Sequence, residues 1–152
     1  AMTGWRLGWV TGPTNVMEGV KKINVSAATH VPTFLMPAAE KALGLKEEVE
    51  AMQEAFAERR LAIHEGFASL PGVVAPRPEG AFYILCDITG TGMTDMEFAK
   101  EALEQAKVQL IPGSLMKGGE GLVRISYATS LENIHEGVRR LRTWLESRGS
   151  QG

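Results

Sequence analysis

The sequence predicts an α/β protein, built as an α+β-like two-layer sandwich in which helices cover one face of a small mixed sheet. From residue 45 onward the predicted order is helix, strand, strand, helix, strand, strand, helix. Such an order is typical of a sheet with its helices on one side. The chain has 152 residues, 44% of them hydrophobic and 22% charged, so it can bury a core of ordinary size.

The first element of this unit is a long helix that begins at Leu45 and ends before Pro71 and Gly72. Its apolar residues recur at spacings of three, four and seven, which places them in one stripe along a helix. The stripe consists of Leu45, Val49, Met52, Phe56, Ile63, Phe67 and Leu70.

The pattern then changes to strands and shorter helices. Residues 72–75, 81–87 and 108–111 are predicted strands. Thr94 and Glu97 form a capping-box signature at the start of a helix that extends to about residue 107. A last strand lies within residues 121–130, and a final helix follows it. The buried stripe of that helix consists of Ile134, Val138, Leu141 and Leu145.

The beginning of the chain predicts a different arrangement. Residues 7–10 are an apolar run typical of a buried strand, and residues 14–28 form a predicted helix. A buried strand needs neighbours on both sides, and none is predicted nearby. Either the strand pairs with another chain or the sequence lacks its natural beginning, and we favour the second interpretation.

Composition excludes several classes of function. The net charge is −2 and the isoelectric point is about 6.0, so no basic surface invites nucleic acid or an anionic membrane. The single cysteine, Cys86, excludes an internal disulfide and suits a core position. His30, His64 and His135 have no spacing typical of a metal site. No apolar run is long enough to span a membrane, and we predict a cytoplasmic protein.

One strand carries a charge in the middle of apolar residues. Because successive strand residues face opposite sides, Arg124 shares a face with Leu122 and Ser126, whereas Val123 and Ile125 share the other. A buried arginine is costly unless an anion or acceptor meets it, and its planar fork suits a carboxylate. The residues alone leave three possibilities open: a substrate carboxylate clamp, an internal salt bridge, or an arginine that reaches solvent from the sheet edge.

Four short motifs stand along the chain: Met-Thr-Gly-Trp-Arg-Leu-Gly at residues 2–8, Gly-Ala-Phe-Tyr at 80–83, Pro-Gly-Ser at 112–114 and Val-Arg-Ile-Ser-Tyr-Ala at 123–128. In this order the chain resembles the C-terminal part of pyridoxal-phosphate-dependent class I/II aminotransferases, which share the aspartate aminotransferase fold (fold type I). The resemblance implies that residues 1–30 are a remnant of the large cofactor-binding domain. It also implies a linker with a short helix at 31–44, the small C-terminal domain at 45–148, and a frayed tail at 149–152.

The resemblance implies roles for three residues. Arg6 matches the arginine that binds the phosphate of pyridoxal 5'-phosphate, although without the family it reads as a surface arginine. Arg124 matches the arginine that holds the α-carboxylate of the amino acid or 2-oxo acid substrate. Thr29 corresponds to a position that reaches across a homodimer towards the partner's cofactor phosphate. The implied activity is exchange of an amino group between an amino acid and a 2-oxo acid.

The family also needs a lysine that forms a Schiff base with the cofactor, and the motif places this lysine just before Ala1. No lysine of the chain stands in a matching context, so we assign no catalytic residue and predict that the chain alone is inactive. Two other functions stay open. One is a non-catalytic module that self-associates through residues 7–10, and the other is the tail of a transcription regulator with an aminotransferase-like domain.

The two glycine motifs predict less specific features. Residues 80–83 indicate either close backbone approach beside the pocket or ordinary strand initiation, and Gly113 is interpreted as a turn requirement. Family members often carry a phenylalanine and a glycine where Leu115, Met116 and Lys117 stand. Because these positions shape the pocket for the substrate side chain, the sequence does not identify the amino acid.

Overall fold

The computed structural model describes residues 2–149. The chain divides into two compact units, one up to Glu50 and the other from Ala51. Within the described residues, all strands belong to the second unit. None of the described helices combines the length and the apolar character needed to cross a bilayer.

The first unit is helical. Helix α1 spans Thr14–Ala27, α2 spans Met36–Leu43, and α3, Lys46–Ala68, begins here. The predicted strand at residues 7–10 is wrong: the segment is irregular, and Trp9 within it is 75% exposed. A strand forms only where a ladder partner accepts its backbone hydrogen bonds, and the described part of this unit contains no other strand.

The second unit contains a three-stranded sheet with the order β1-β3-β2. Strand β1 is Tyr83–Asp87, β2 is Ile111–Pro112 and β3 is Leu122–Ser126. Both pairings are antiparallel, so the expected mixed sheet is wrong in its strand directions. Two predicted strands also shrink. Residues 72–75 contribute a single bridge between Val74 and Asp87, and residues 108–111 give way to the two-residue β2.

Helices α4, Asp95–Glu101, and α5, Leu131–Gly149, complete the unit. The capping box is confirmed: the Glu97 amide donates to Thr94 Oγ1 at 3.3 Å, and the Thr94 amide donates to Glu97 Oε2 at 3.0 Å. A π-helical turn, Ala102–Ala106, continues α4. Gly149 ends α5, and residues 150–152 of the predicted tail lie outside the described residues.

The core lies between one face of the sheet and the helices. Ile84 and Cys86 of β1 and Val123 of β3 are at most 1% exposed. They join one apolar cluster with side chains from all three helices of this unit, among them Phe67, Phe98 and Leu141. Burial raises the pKa of the Cys86 thiol to about 12, which agrees with the predicted core position. The two-layer α/β fold class is confirmed.

Candidate functional site

The face of the sheet away from the core carries Arg124. Along β3, Val123 and Ile125 are buried, whereas Leu122 and Arg124 are half-buried and Ser126 is exposed. The predicted division of this strand into two faces is therefore confirmed. Tyr83 and Leu85 of β1 lie on the same open face, since they pair with Ser126 and Arg124 of β3.

Arg124 contacts an aromatic ring and has no anionic partner within residues 2–149. Its Cζ lies over the ring of Tyr83, 5.4 Å from the centroid. The neighbours in register are Leu85 on β1 and Ile111 on β2, both apolar. The ion pairs that the described residues form involve other arginines, so the structure gives no support to an internal salt bridge. A guanidinium without an ion-pair partner keeps its N–H donors available for an acceptor from outside the chain.

The loop after β2 borders this strand. Gly113 begins a 3-10 turn, Gly113–Leu115, and its backbone packs directly on another glycine. A Cβ at position 113 would lie 1.8 Å from the carbonyl oxygen of Gly119 and 2.7 Å from that of Leu122. Close approach of two backbone segments therefore requires this glycine, so the turn interpretation is replaced by a packing one.

A buried carboxylate holds the same loop. Asp95, the first residue of α4, is only 6% exposed, and its Oδ2 accepts a hydrogen bond of 2.6 Å from the Ser114 amide. Hydrogen bonds from the Ser114 side chain and backbone lower the pKa of the Asp95 carboxyl. The sequence reasoning missed Asp95, because an acidic residue in the first turn of a helix is also explained by the helix dipole alone.

Residues 80–83 are hydrogen-bonded to Tyr127, the residue that directly follows β3. The Tyr127 hydroxyl, on a side chain that is 1% exposed, donates to the carbonyl oxygen of Ala81 at 2.9 Å. Ala81 has a left-handed φ of 63°, which is uncommon for a residue with a Cβ. A Cβ at Gly80 would meet nothing within 4 Å. Close backbone approach at Gly80 is therefore not observed.

Arg6 and Thr29 both belong to the unit that ends at Glu50. Arg6 follows the 3-10 turn Thr3–Trp5 with a φ of 55°, and its exposed side chain makes a hydrogen bond of 3.4 Å to the Thr3 carbonyl oxygen. Within the described residues it forms no ion pair. Thr29 follows α1 with a φ of 62° and is also exposed. An exposed guanidinium without a carboxylate partner suits the binding of a phosphate.

The chain belongs to the aminotransferase class I and II family, whose sequence model matches residues 1–141. It is 40% identical over 150 residues to an aspartate aminotransferase of Pyrococcus horikoshii, a match that covers 96% of this chain and 38% of that protein. The structure superposes on an aromatic aminotransferase of Pyrococcus horikoshii with a TM-score of 0.91 and 39% identity, covering 97% of this chain and 40% of the other.

A third comparison is with a Thermus thermophilus aspartate aminotransferase solved with maleate. The TM-score is 0.85 and the identity 35%, and the match covers 94% of this chain and 38% of that one. This chain therefore spans about two fifths of the length of these relatives. The resemblance predicted from the motifs is confirmed. These relatives do not favour a transcription regulator or a self-associating module.

Proposed function

We propose that this chain is the C-terminal part of a pyridoxal-phosphate-dependent aminotransferase, which transfers an amino group between an amino acid and a 2-oxo acid. The single observation that carries the proposal is the state of Arg124. Its guanidinium is half-buried on an open sheet face and has no anionic partner among the described residues. Such a guanidinium is suited to binding a carboxylate. Family membership supplies the reaction class.

In this proposal Arg124 holds the α-carboxylate of the substrate. The guanidinium presents paired N–H donors, and a carboxylate accepts two of them at once. A two-point contact fixes the direction of the substrate as well as its position. Lysine would offer a point charge without the fork, so Arg124→Lys should weaken binding although the charge is kept.

Arg6 and Thr29 are the residues that would hold the cofactor phosphate, Thr29 from the opposite subunit of a homodimer. The exposed guanidinium of Arg6, which forms no ion pair among the described residues, fits a phosphate. The Thr29 hydroxyl fits one as a hydrogen-bond donor. When bound, pyridoxal phosphate supplies an electron sink for the substrate's α-carbon. The proposal includes a cytoplasmic location and the division into residues 1–30, 31–44, 45–148 and 149–152 stated above.

We also propose that the chain is inactive alone, because none of its lysines matches the family's cofactor-linking lysine. The test is to add pyridoxal phosphate to the purified chain, reduce with borohydride and measure the intact mass. No stoichiometric mass increase is expected. A single adduct on one lysine of the chain would overturn this part of the proposal.

The role of Arg124 is tested by titrating the 15N-labelled chain with maleate, the ligand present in the Thermus structure, and following the arginine side-chain signals by NMR. The Arg124 side-chain signals and the backbone amide signals of β3 should shift and saturate, and Arg124→Lys should weaken the response of those amides, since lysine keeps the charge but lacks the fork. Arg59 is the matched control, because it is also half-buried and lies 5.0 Å from the centroid of an aromatic ring, Phe56. If Arg59→Lys weakens the response and Arg124→Lys does not, the assignment is wrong.

A further inference from the structure

Tyr83 is the side chain that covers Arg124 on the open face of the sheet. It is the first residue of β1 and is 40% exposed. Its ring centroid lies 5.4 Å from Cζ of Arg124, within the distance at which a cation is attracted to the face of an aromatic ring. The Gly-Ala-Phe-Tyr motif at residues 80–83 predicts no role for the ring of Tyr83, and the family match assigns none.

The ring of Tyr83 is itself held in place. The Phe82 ring packs edge-on against it, with centroids 5.3 Å apart and an interplanar angle of 84°. The backbone just before it is tied to the end of β3 at two points. The Tyr127 hydroxyl donates to the Ala81 carbonyl oxygen at 2.9 Å, and the Tyr127 amide donates to that of Phe82 at 2.8 Å.

We propose that Tyr83 is a positioning residue that holds the Arg124 guanidinium ready for a carboxylate, an inference that rests on the proposed function. Arg124 Cζ lies over the ring of Tyr83, and in the described part of the chain the N–H donors of the guanidinium make no hydrogen bond to the ring's hydroxyl that would occupy them, so they stay available to a carboxylate. A free arginine side chain must lose rotamer freedom when it binds, and a guanidinium already held by a ring loses less. The ring thus improves carboxylate affinity without touching the carboxylate.

The first experiment detects the contact itself in the 152-residue chain. The ring current of Tyr83 should move the side-chain NMR signals of Arg124 upfield. Tyr83→Phe should preserve this displacement, whereas Tyr83→Leu should remove it. Tyr83→Val serves as a second ring-free variant, and the backbone amide spectrum of each shows whether it is folded. The signals of Arg59, which lies over Phe56, should stay unchanged in every variant.

The second experiment measures the dissociation constant for maleate from the shifts of Arg124. Exposed cation–π contacts are of a size that makes Tyr83→Leu and Tyr83→Val roughly two- to fivefold weaker binders. Tyr83→Phe should bind like the unmodified chain. If Tyr83 had only a structural role, the three variants would bind maleate in proportion to their folded fraction. A folded ring-free variant would then bind as tightly as Tyr83→Phe.

The outcomes separate this inference from the proposed function. If maleate shifts Arg124 and the ring-free variants bind it as tightly as the unmodified chain, the role of Tyr83 is refuted and that of Arg124 stands. The same holds if the unmodified chain shows no ring-current displacement. If maleate does not shift Arg124 at all, the carboxylate role of Arg124 fails, and the positioning role of Tyr83 fails with it.

Discussion

Replacing Tyr127 with phenylalanine removes one oxygen from the core and leaves the ring. The lost hydroxyl donates to the Ala81 carbonyl oxygen at 2.9 Å and lies 3.5 Å from that of Gly80. The side chain is 1% exposed, and burial raises the pKa of its phenol. The variant therefore isolates the hydrogen bond that secures the backbone before β1.

The expected loss is about 1 kcal/mol in the free energy of unfolding. A buried hydrogen bond contributes roughly 0.5–1.5 kcal/mol net. The retained ring avoids the cavity cost of roughly 3–5 kcal/mol that follows when a large aromatic is cut to alanine. Ala81 pays about 1 kcal/mol or more for its left-handed backbone, so part of the loss is recovered if residue 81 relaxes.

Urea unfolding followed by tryptophan fluorescence measures this loss. Trp144 is 7% exposed, whereas Trp5 and Trp9 are already 57% and 75% exposed, so the change in emission reports mainly on the unit that contains Tyr127. Tyr83→Phe is the matched control, since it removes a hydroxyl from a half-exposed ring and should cost less than about 0.5 kcal/mol. Equal losses in the two variants would refute the reasoning, as would a loss above about 3 kcal/mol.

Two further predictions concern the loop beside β3. Gly113→Ala should unfold the chain or destabilise it by several kcal/mol, because the new Cβ would lie 1.8 Å from the carbonyl oxygen of Gly119. Gly80→Ala is the matched control, and it should be nearly neutral in the same urea assay because a Cβ there meets nothing within 4 Å. For Asp95, the pKa is lowered in the folded chain, so the unfolded chain binds more protons in acid, and stability falls as the pH drops through the folded pKa. Asp95→Asn should therefore flatten the decline of unfolding free energy as the pH falls below the pKa of an unfolded aspartate, and an unchanged slope would show that Asp95 contributes nothing to this decline.

The parts of the fold that follow local rules could be predicted from the sequence. The capping box of Thr94 and Glu97 and the buried stripe of α5 depend on residues that are close together along the chain. The stripe predicted for the long helix is correct only in its C-terminal half, where Ile63 and Phe67 are buried, because Val49 and Met52 are exposed. The alternation along β3 is equally local, and it placed Arg124 on the correct face. Residues 7–10 show the limit of this reasoning, because an apolar run indicates burial but does not say which segment provides the partner.

The surroundings of Arg124 could not be predicted in the same way. Tyr83 and Arg124 are brought together by antiparallel pairing of strands that are far apart in sequence. Asp95 and Ser114 are 19 residues apart, and their contact depends on where the turn after β2 meets α4. In each case the residue type indicates which interactions are possible, and only the tertiary structure shows which residue provides the partner.

Substitutions on the two faces of β3 have different consequences. A substitution at Val123 or Ile125 changes the volume that the helices must enclose, so its effect falls on whether the chain folds. A substitution at Leu122 or Ser126, on the face that carries Arg124, leaves that volume unchanged, so its effect falls on the open surface around the guanidinium. The surroundings of Arg124 can therefore change through alternate positions of one strand while the core stays the same.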